Sequence, residues 1–356
     1  MLVGALLVTC LYAAFAHGAV SSPDEERVQL GLAVVALLAA AVWCWQGAPT
    51  PHAPGLVRAG LASLIAFAAW SGVSVLWSVA PDRTWTECNR VITYCLVLVL
   101  ALAVGASLRR GVRVVTEGLL VVCLAVTVYA LGQKLVPGLH LGGVFTLDQT
   151  GVVQRLQEPL GYWNALALLL AMAVPAALSV VVDRTRPDPV RLAASTAIVA
   201  MLLTIGFTYS RGGVLALLVA LALTMMLSGA WLRCLMWLAA VAIAAAPVLV
   251  VGLASHRLTA AGVGLGARES AGGELAVVLG ACVTLLVLGG RQLIRRERRA
   301  AVSPVAVRVV VRGLVAAAVS MAAVAVIAVA LSHRGAERDG VTRLVELHHH
   351  PHHQRR

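Results

Sequence analysis

A chain of 356 residues in which 60% are hydrophobic and only 12% charged, with a mean hydropathy of +0.90, is far from the roughly 25% charged residues of an average soluble domain. That composition excludes a water-soluble fold. The net charge of +12 and pI near 10.3 do not argue for nucleic acid, because the excess is mostly arginine in short gaps between apolar runs, the pattern of loops retained on the cytoplasmic side of a membrane.

Crossing about 30 Å of hydrocarbon takes roughly 20 residues of helix. Runs of that kind are expected near 2–20, 28–46, 57–78, 91–107, 113–132, 161–182, 192–209, 212–228, 231–253, 274–290 and 311–332. The expectation is an all-α, polytopic membrane protein of about eleven transmembrane helices, with residues 1–332 as one transmembrane domain. The run from Leu2 to Val20 lacks a basic leader and is followed by further spans, so it reads as a first helix rather than a cleaved signal. Between the runs, arginine alternates. Arg58 follows the second; Arg109, Arg110 and Arg113 the fourth; Arg184, Arg186 and Arg191 the sixth; Arg233 the eighth; and Arg291, Arg295, Arg296, Arg298, Arg299, Arg308 and Arg312 the tenth. The positive-inside rule then places the N-terminus in the cytoplasm and residues 333–356 outside, in a multi-pass protein of the cytoplasmic membrane. The acidic first loop, Asp24, Glu25 and Glu26, agrees with that orientation.

Outward chemistry is confined to the loops at 79–90, 133–160 and 255–273 and to the tail. In the tail, His348, His349, His350, His352 and His353 form a dense tract that reads as a disordered end, and no metal is assigned to it. Seven cysteines are scattered, nearly all inside apolar runs and without a CxxC pair, so they read as small buried residues, and no cofactor is expected. The glycines at 262, 264 and 266 follow no strand and open no βαβ unit, which dismisses dinucleotide binding.

Three polar segments stand out. Thr208-Tyr209-Ser210-Arg211-Gly212-Gly213 joins two apolar runs with almost no loop, so Arg211 lies at the outer interface, where a charge is accompanied by an anion, a watery cavity or snorkelling to the headgroups. Its glycines are expected to make the tight turn. Arg155-Leu156-Gln157-Glu158-Pro159-Leu160-Gly161-Tyr162-Trp163-Asn164 leads into the sixth run, with Tyr162 and Trp163 as interfacial anchors and Asn164 placed to cap the helix. Trp77-Ser78 and Pro81-Asp82-Arg83-Thr84-Trp85 close the third run.

The order and membrane context of WSVAPDRTWTECNR, RLQEPLGYWNALALLLAMAVP and TIGFTYSRGGVLALL resemble the O-antigen ligase and Wzy-type polymerase superfamily over residues 77–223, with the serine-arginine-glycine element the most specific. The resemblance implies glycan transfer without a metal. It implies an undecaprenyl-pyrophosphate-linked saccharide as donor, a glycan or lipid hydroxyl as acceptor, and reaction on the outer face among membrane lipids. Arg211 and Arg155 match the family positions and are expected to hold the pyrophosphate, with Ser210 and Asn164 beside them and Arg257 and Arg268 as further clamps. Against the family pattern, no counterpart is expected here for its large outer loop, catalytic histidine and following helices, so the chain reads as a truncated relative. His256 is the candidate base. Two other classes remain open, a transporter or flippase for a lipid-linked or small substrate and a non-catalytic membrane partner. Charges clustered at helix edges count against the first of these.

Overall fold

In a computed structural model, residues 2–46, 55–107, 111–141, 145–147 and 155–299 are described. The eleventh run, the tail with its histidines, and Arg109, Arg110, Arg308 and Arg312 lie outside the described residues. Each of the first ten runs is helical. The helices are α1 (Leu2–Phe15), α2 (Ser22–Gln46), α3 (Gly55–Ser74), α4 (Pro81–Ser107), α5 (Gly111–Leu135), α6 (Trp163–Val182), α7 (Asp188–Thr208), α8 (Arg211–Leu227), α9 (Trp231–Ala254), the single-turn α10 (His256–Thr259) and α11 (Leu265–Arg299). Two two-residue strands, β1 (His140–Leu141) and β2 (Phe145–Thr146), pair antiparallel after α5. Eight of the described helices are long and apolar enough to cross a membrane, which makes the chain a multi-pass membrane protein; α1 and α8 are shorter apolar helices.

In hydrocarbon every backbone N–H and C=O must be satisfied within the segment, so runs of Ala, Leu and Val become helices. The same medium explains large apolar side chains left outside. Leu37 and Leu38 on α2, Phe67 and Trp70 on α3, and Leu215 and Leu218 on α8 are all at least half exposed, an arrangement that water would penalise and lipid does not. Pro175 and Pro247 sit inside α6 and α9, as spanning helices tolerate.

Two boundaries differ from the sequence expectation. The segment 79–90, read as a loop, is mostly the first turns of α4. Pro81 begins that helix and Asp82 lies in its first turn, while the Ser78 hydroxyl accepts from Ala80 N–H at 3.1 Å. Likewise 255–273 is α10 followed by the start of α11, so Arg257 and Arg268 lie on helices rather than in a loop. In both places polar residues extend a helix beyond its apolar stretch.

The chain forms two compact units, Met1–Tyr129 with Gln157–Leu169, and Ala130–Leu156 with Leu170–Arg356. In the first, α1 packs on α2, α2 on α4 and α3 on α4. Leu32, Ala39 and Leu100 form a core flanked by Leu6, Val35 and Trp43. The Arg90 guanidinium grips both oxygens of Glu25, Nε to Oε1 and Nη2 to Oε2 at 3.0 Å each, and His17 Nδ1 lies 2.9 Å from Glu158 Oε2.

In the second unit α7, α9 and α11 pack on one another and α8 lies against α9. Trp237, Phe207, Val248 and Leu275 are fully buried between these helices. Close approach needs glycine at one place in particular. A Cβ at Gly272 of α11 would stand 2.5 Å from the carbonyl oxygen of Lys134 and 2.6 Å from that of Leu135, so only hydrogen fits between the two backbones. Where α7 begins, Arg191 is buried to 3% exposure. It donates Nε to Val181 O at 2.6 Å and Nη2 to Glu297 Oε2 at 2.7 Å, and Glu297 Oε1 also accepts from Trp237 Nε1 at 3.0 Å. Arg233 Nη1 donates to Val182 O at 2.9 Å. Arg191 and Arg233, read from sequence as loop charges, thus satisfy the carbonyls that the end of α6 leaves without a helical partner.

Candidate functional site

The polar turn between α7 and α8 is built by two residues. Tyr209 adopts the left-handed conformation (φ 51°) and its N–H returns to Gly206 O at 3.1 Å, closing α7. Ser210 then opens α8, its Oγ accepting from Gly213 N–H at 3.0 Å while its own N–H donates to Thr208 Oγ1 at 3.2 Å. The turn is therefore made by Tyr209 and Ser210, and Gly212 and Gly213, expected to make it, lie inside the first turn of α8. Ser210 is 3% exposed and is held in the cap.

Arg211, the first residue of α8, is exposed and has no ion-pair or hydrogen-bond partner among the described residues. Arg155 is brought to the same turn. Leu156 N–H donates to Phe207 O at 3.0 Å, tying this segment to the end of α7, and the Arg155 charge acts on the Tyr209 phenol. Partial burial raises the Tyr209 pKa above its usual value, and the neighbouring Arg155 opposes that rise. Asn164 belongs to the other unit. It lies one residue inside α6 rather than at its cap, and its Nδ2 donates to Tyr162 Oη at 2.7 Å.

The other candidates gather at the same end of the second unit. His256 opens α10 and is exposed; Arg257 beside it pairs with Glu274 of α11 at 3.2 Å across a half-exposed contact. Sequence reasoning passed over the residue that ties this group together. Lys134, the sole lysine in the chain, ends α5 with Nζ donating to Leu258 O at 2.7 Å and standing 5.6 Å from the centroid of the Phe207 ring. Arg268 is close enough for its charge to act on Lys134. The signal available was the lysine itself, singular in a chain that otherwise uses arginine throughout. Its neighbour Gln133 is buried, and Gln133 Nε2 has no partner among the described residues.

The result is a cationic end of the second unit to which Lys134, Arg155, Arg211, Arg257 and Arg268 contribute, with Glu269 and Glu274 as its acids on α11. Chemically it suits an anion with several oxygens, since guanidinium groups bind carboxylate or phosphate through paired donors. Among the described residues no three His, Cys, Asp or Glu side chains gather as a metal site would need. Comparison with family models, with curated proteins and with solved structures finds no match to this chain. The O-antigen ligase resemblance therefore rests on the three sequence segments alone.

Proposed function

We propose that the chain is an enzyme of the O-antigen ligase type in the cytoplasmic membrane. It transfers a saccharide from an undecaprenyl-pyrophosphate-linked donor to a hydroxyl of a glycan or lipid acceptor on the outer face. In this reading the chain has eleven spans, the N-terminus is cytoplasmic, and the α7–α8 turn faces outward. The observation that supports it is that Arg155, distant in sequence, acts on Tyr209 of the same turn from which Arg211 opens α8. Two guanidinium groups there grip the donor pyrophosphate and stabilise the charge that develops on it as the glycosidic oxygen departs. His256, at the same end of the unit, takes the acceptor hydroxyl proton as the new bond forms.

The test is donor binding and transfer by the purified full-length protein, with an undecaprenyl-pyrophosphate glycan and candidate acceptors. Loss of a charged hydrogen-bonding partner is worth about 1.5–3 kcal/mol, so Arg211→Ala and Arg155→Ala should each weaken donor binding by at least about tenfold. Donor binding indifferent to both substitutions would overturn the assignment. His256→Ala should lower transfer while leaving donor affinity in place.

A further inference from the structure

Helix α11 is 35 residues long, about 52 Å at an α-helical rise, whereas roughly 20 residues suffice to cross the hydrocarbon. Its outer face changes character along its length. Val277, Leu285 and Leu288 are exposed apolar residues, and at about 100° per residue Arg291 and Arg295 continue the stripe through Leu288, three and seven positions on. Arg296 is exposed on the adjoining side. The opposite side of the helix points inward, with Ile294 buried and Glu297 bonded to Arg191 and Trp237.

The acids at this end of the unit are already engaged. Glu297 holds Arg191, Asp188 holds Arg298 at 2.7 Å, and Asp183 holds Arg186 at 3.2 Å. Arg291, Arg295 and Arg296 have no counterion among the described residues, nor does the exposed Arg184 at the end of α6. An exposed apolar stripe that passes from leucine to unpaired arginine within two turns matches the profile of a bilayer, acyl chains first and headgroups next.

We infer that the arginine end of α11 is a binding site for anionic phospholipid, with the acyl chains along Leu285 and Leu288 and the headgroup phosphate on Arg291, Arg295 and Arg296. Arginine forks donate to phosphate oxygens in pairs, and the apolar stripe directly below them leaves room for the chains of the same molecule. The site is independent of the glycan-transfer reading and lies at the opposite end of the unit from Arg211.

The experiment uses the full chain reconstituted in phosphatidylcholine vesicles, with spin-labelled phosphatidylglycerol or spin-labelled phosphatidylcholine as probe. Electron spin resonance reads the fraction of probe immobilised at the protein. The wild type should select phosphatidylglycerol by about threefold or more at low ionic strength, less in high salt. The triple variant R291Q/R295Q/R296Q should fall close to no selectivity, while R291K/R295K/R296K keeps most of it. R83Q, which removes one exposed arginine of the first unit, should behave as wild type. Equal selectivity in the wild type and the glutamine variant would overturn the site, as would its absence in the wild type. Loss in both triple variants would show that packing rather than charge was disturbed, and would overturn it too. An acidic protein as the true occupant would appear as lipid selectivity unaffected by any of the substitutions.

Discussion

Replacing Glu297 with alanine should destabilise the second unit more than any exposed charge change in the chain. The side chains of Arg191 and Glu297 are 3% and 5% exposed, and their contact is 2.7 Å. Removing the carboxylate leaves the guanidinium with the Val181 carbonyl as its remaining hydrogen-bond acceptor and the Trp237 ring 5.6 Å away, and strips the buried Trp237 Nε1–H of its acceptor. Breaking a buried ion pair from one side costs about 3–5 kcal/mol, whereas the half-exposed Arg257–Glu274 pair falls in the class worth about 0–1 kcal/mol. The expected loss for Glu297→Ala is therefore about 4 kcal/mol, against less than about 1 kcal/mol for Glu274→Ala. The double variant Arg191→Met/Glu297→Leu removes both charges and leaves only the indole N–H and the end of α6 unsatisfied, so it should recover part of the loss. Equilibrium unfolding in mixed dodecylmaltoside and dodecylsulfate micelles, followed by helical circular dichroism and tryptophan fluorescence, measures all three. If Glu297→Ala unfolds at the same dodecylsulfate fraction as Glu274→Ala, the buried network does not hold these helices together.

Gly272→Val should cost about 1–3 kcal/mol in the same assay, because its Cβ meets the Lys134 and Leu135 carbonyl oxygens, while Gly273→Val, whose Cβ meets open space, should leave the midpoint almost unmoved. Ser210→Ala should destabilise the start of α8 by about 1 kcal/mol, with Ser210→Asp restoring most of it, read by hydrogen exchange at the Gly213 amide. Tyr209 should ionise above the usual tyrosine range in an alkaline absorbance titration, identified by its loss in Tyr209→Phe. Arg155→Gln should push it higher still, since Arg155 opposes the effect of burial. Because the neutral phenol is the form the fold favours, the stability it contributes is complete below the unfolded tyrosine value and is lost as the pH climbs through the raised one.

The spanning helices were legible because hydropathy over about 20 residues reports what the bilayer demands, but the same criterion is blind to helix that leaves the bilayer. Hence α4 begins at Pro81 and α11 at Leu265, with their first turns in segments that read as loops. At the α7–α8 turn the glycines drew attention because they tolerate any backbone conformation, yet the left-handed residue is Tyr209. Its αL geometry follows from how α7 closes on Gly206 O, which no local pattern encodes. Arg191 and Arg233 were legible as charges but not as caps, since their acceptors, Val181 and Val182, lie at the end of another helix. Lys134 was overlooked for a related reason. Its partners Leu258 and Phe207 are 124 and 73 positions away, and only the fold brings them to the end of α5.

One residue type thus serves two ends of the second unit in different ways, and burial separates them. Where α7 begins, Arg191 and Arg233 are spent on carbonyls and a carboxylate of the fold, so substituting them should be felt in stability whatever the protein binds. Where α7 ends, Arg211 is exposed and without a partner among the described residues, and its removal should leave folding nearly intact. A charge held at a membrane edge without a structural partner needs a ligand, water or a headgroup to offset its desolvation. Arg211→Ala and Arg191→Ala therefore form a diagnostic pair. If Arg211→Ala unfolds at the wild-type midpoint yet weakens binding of the pyrophosphate donor, the cationic end is a site. If it destabilises as Arg191→Ala does, that end is held for structure, and the glycan-transfer reading loses its support.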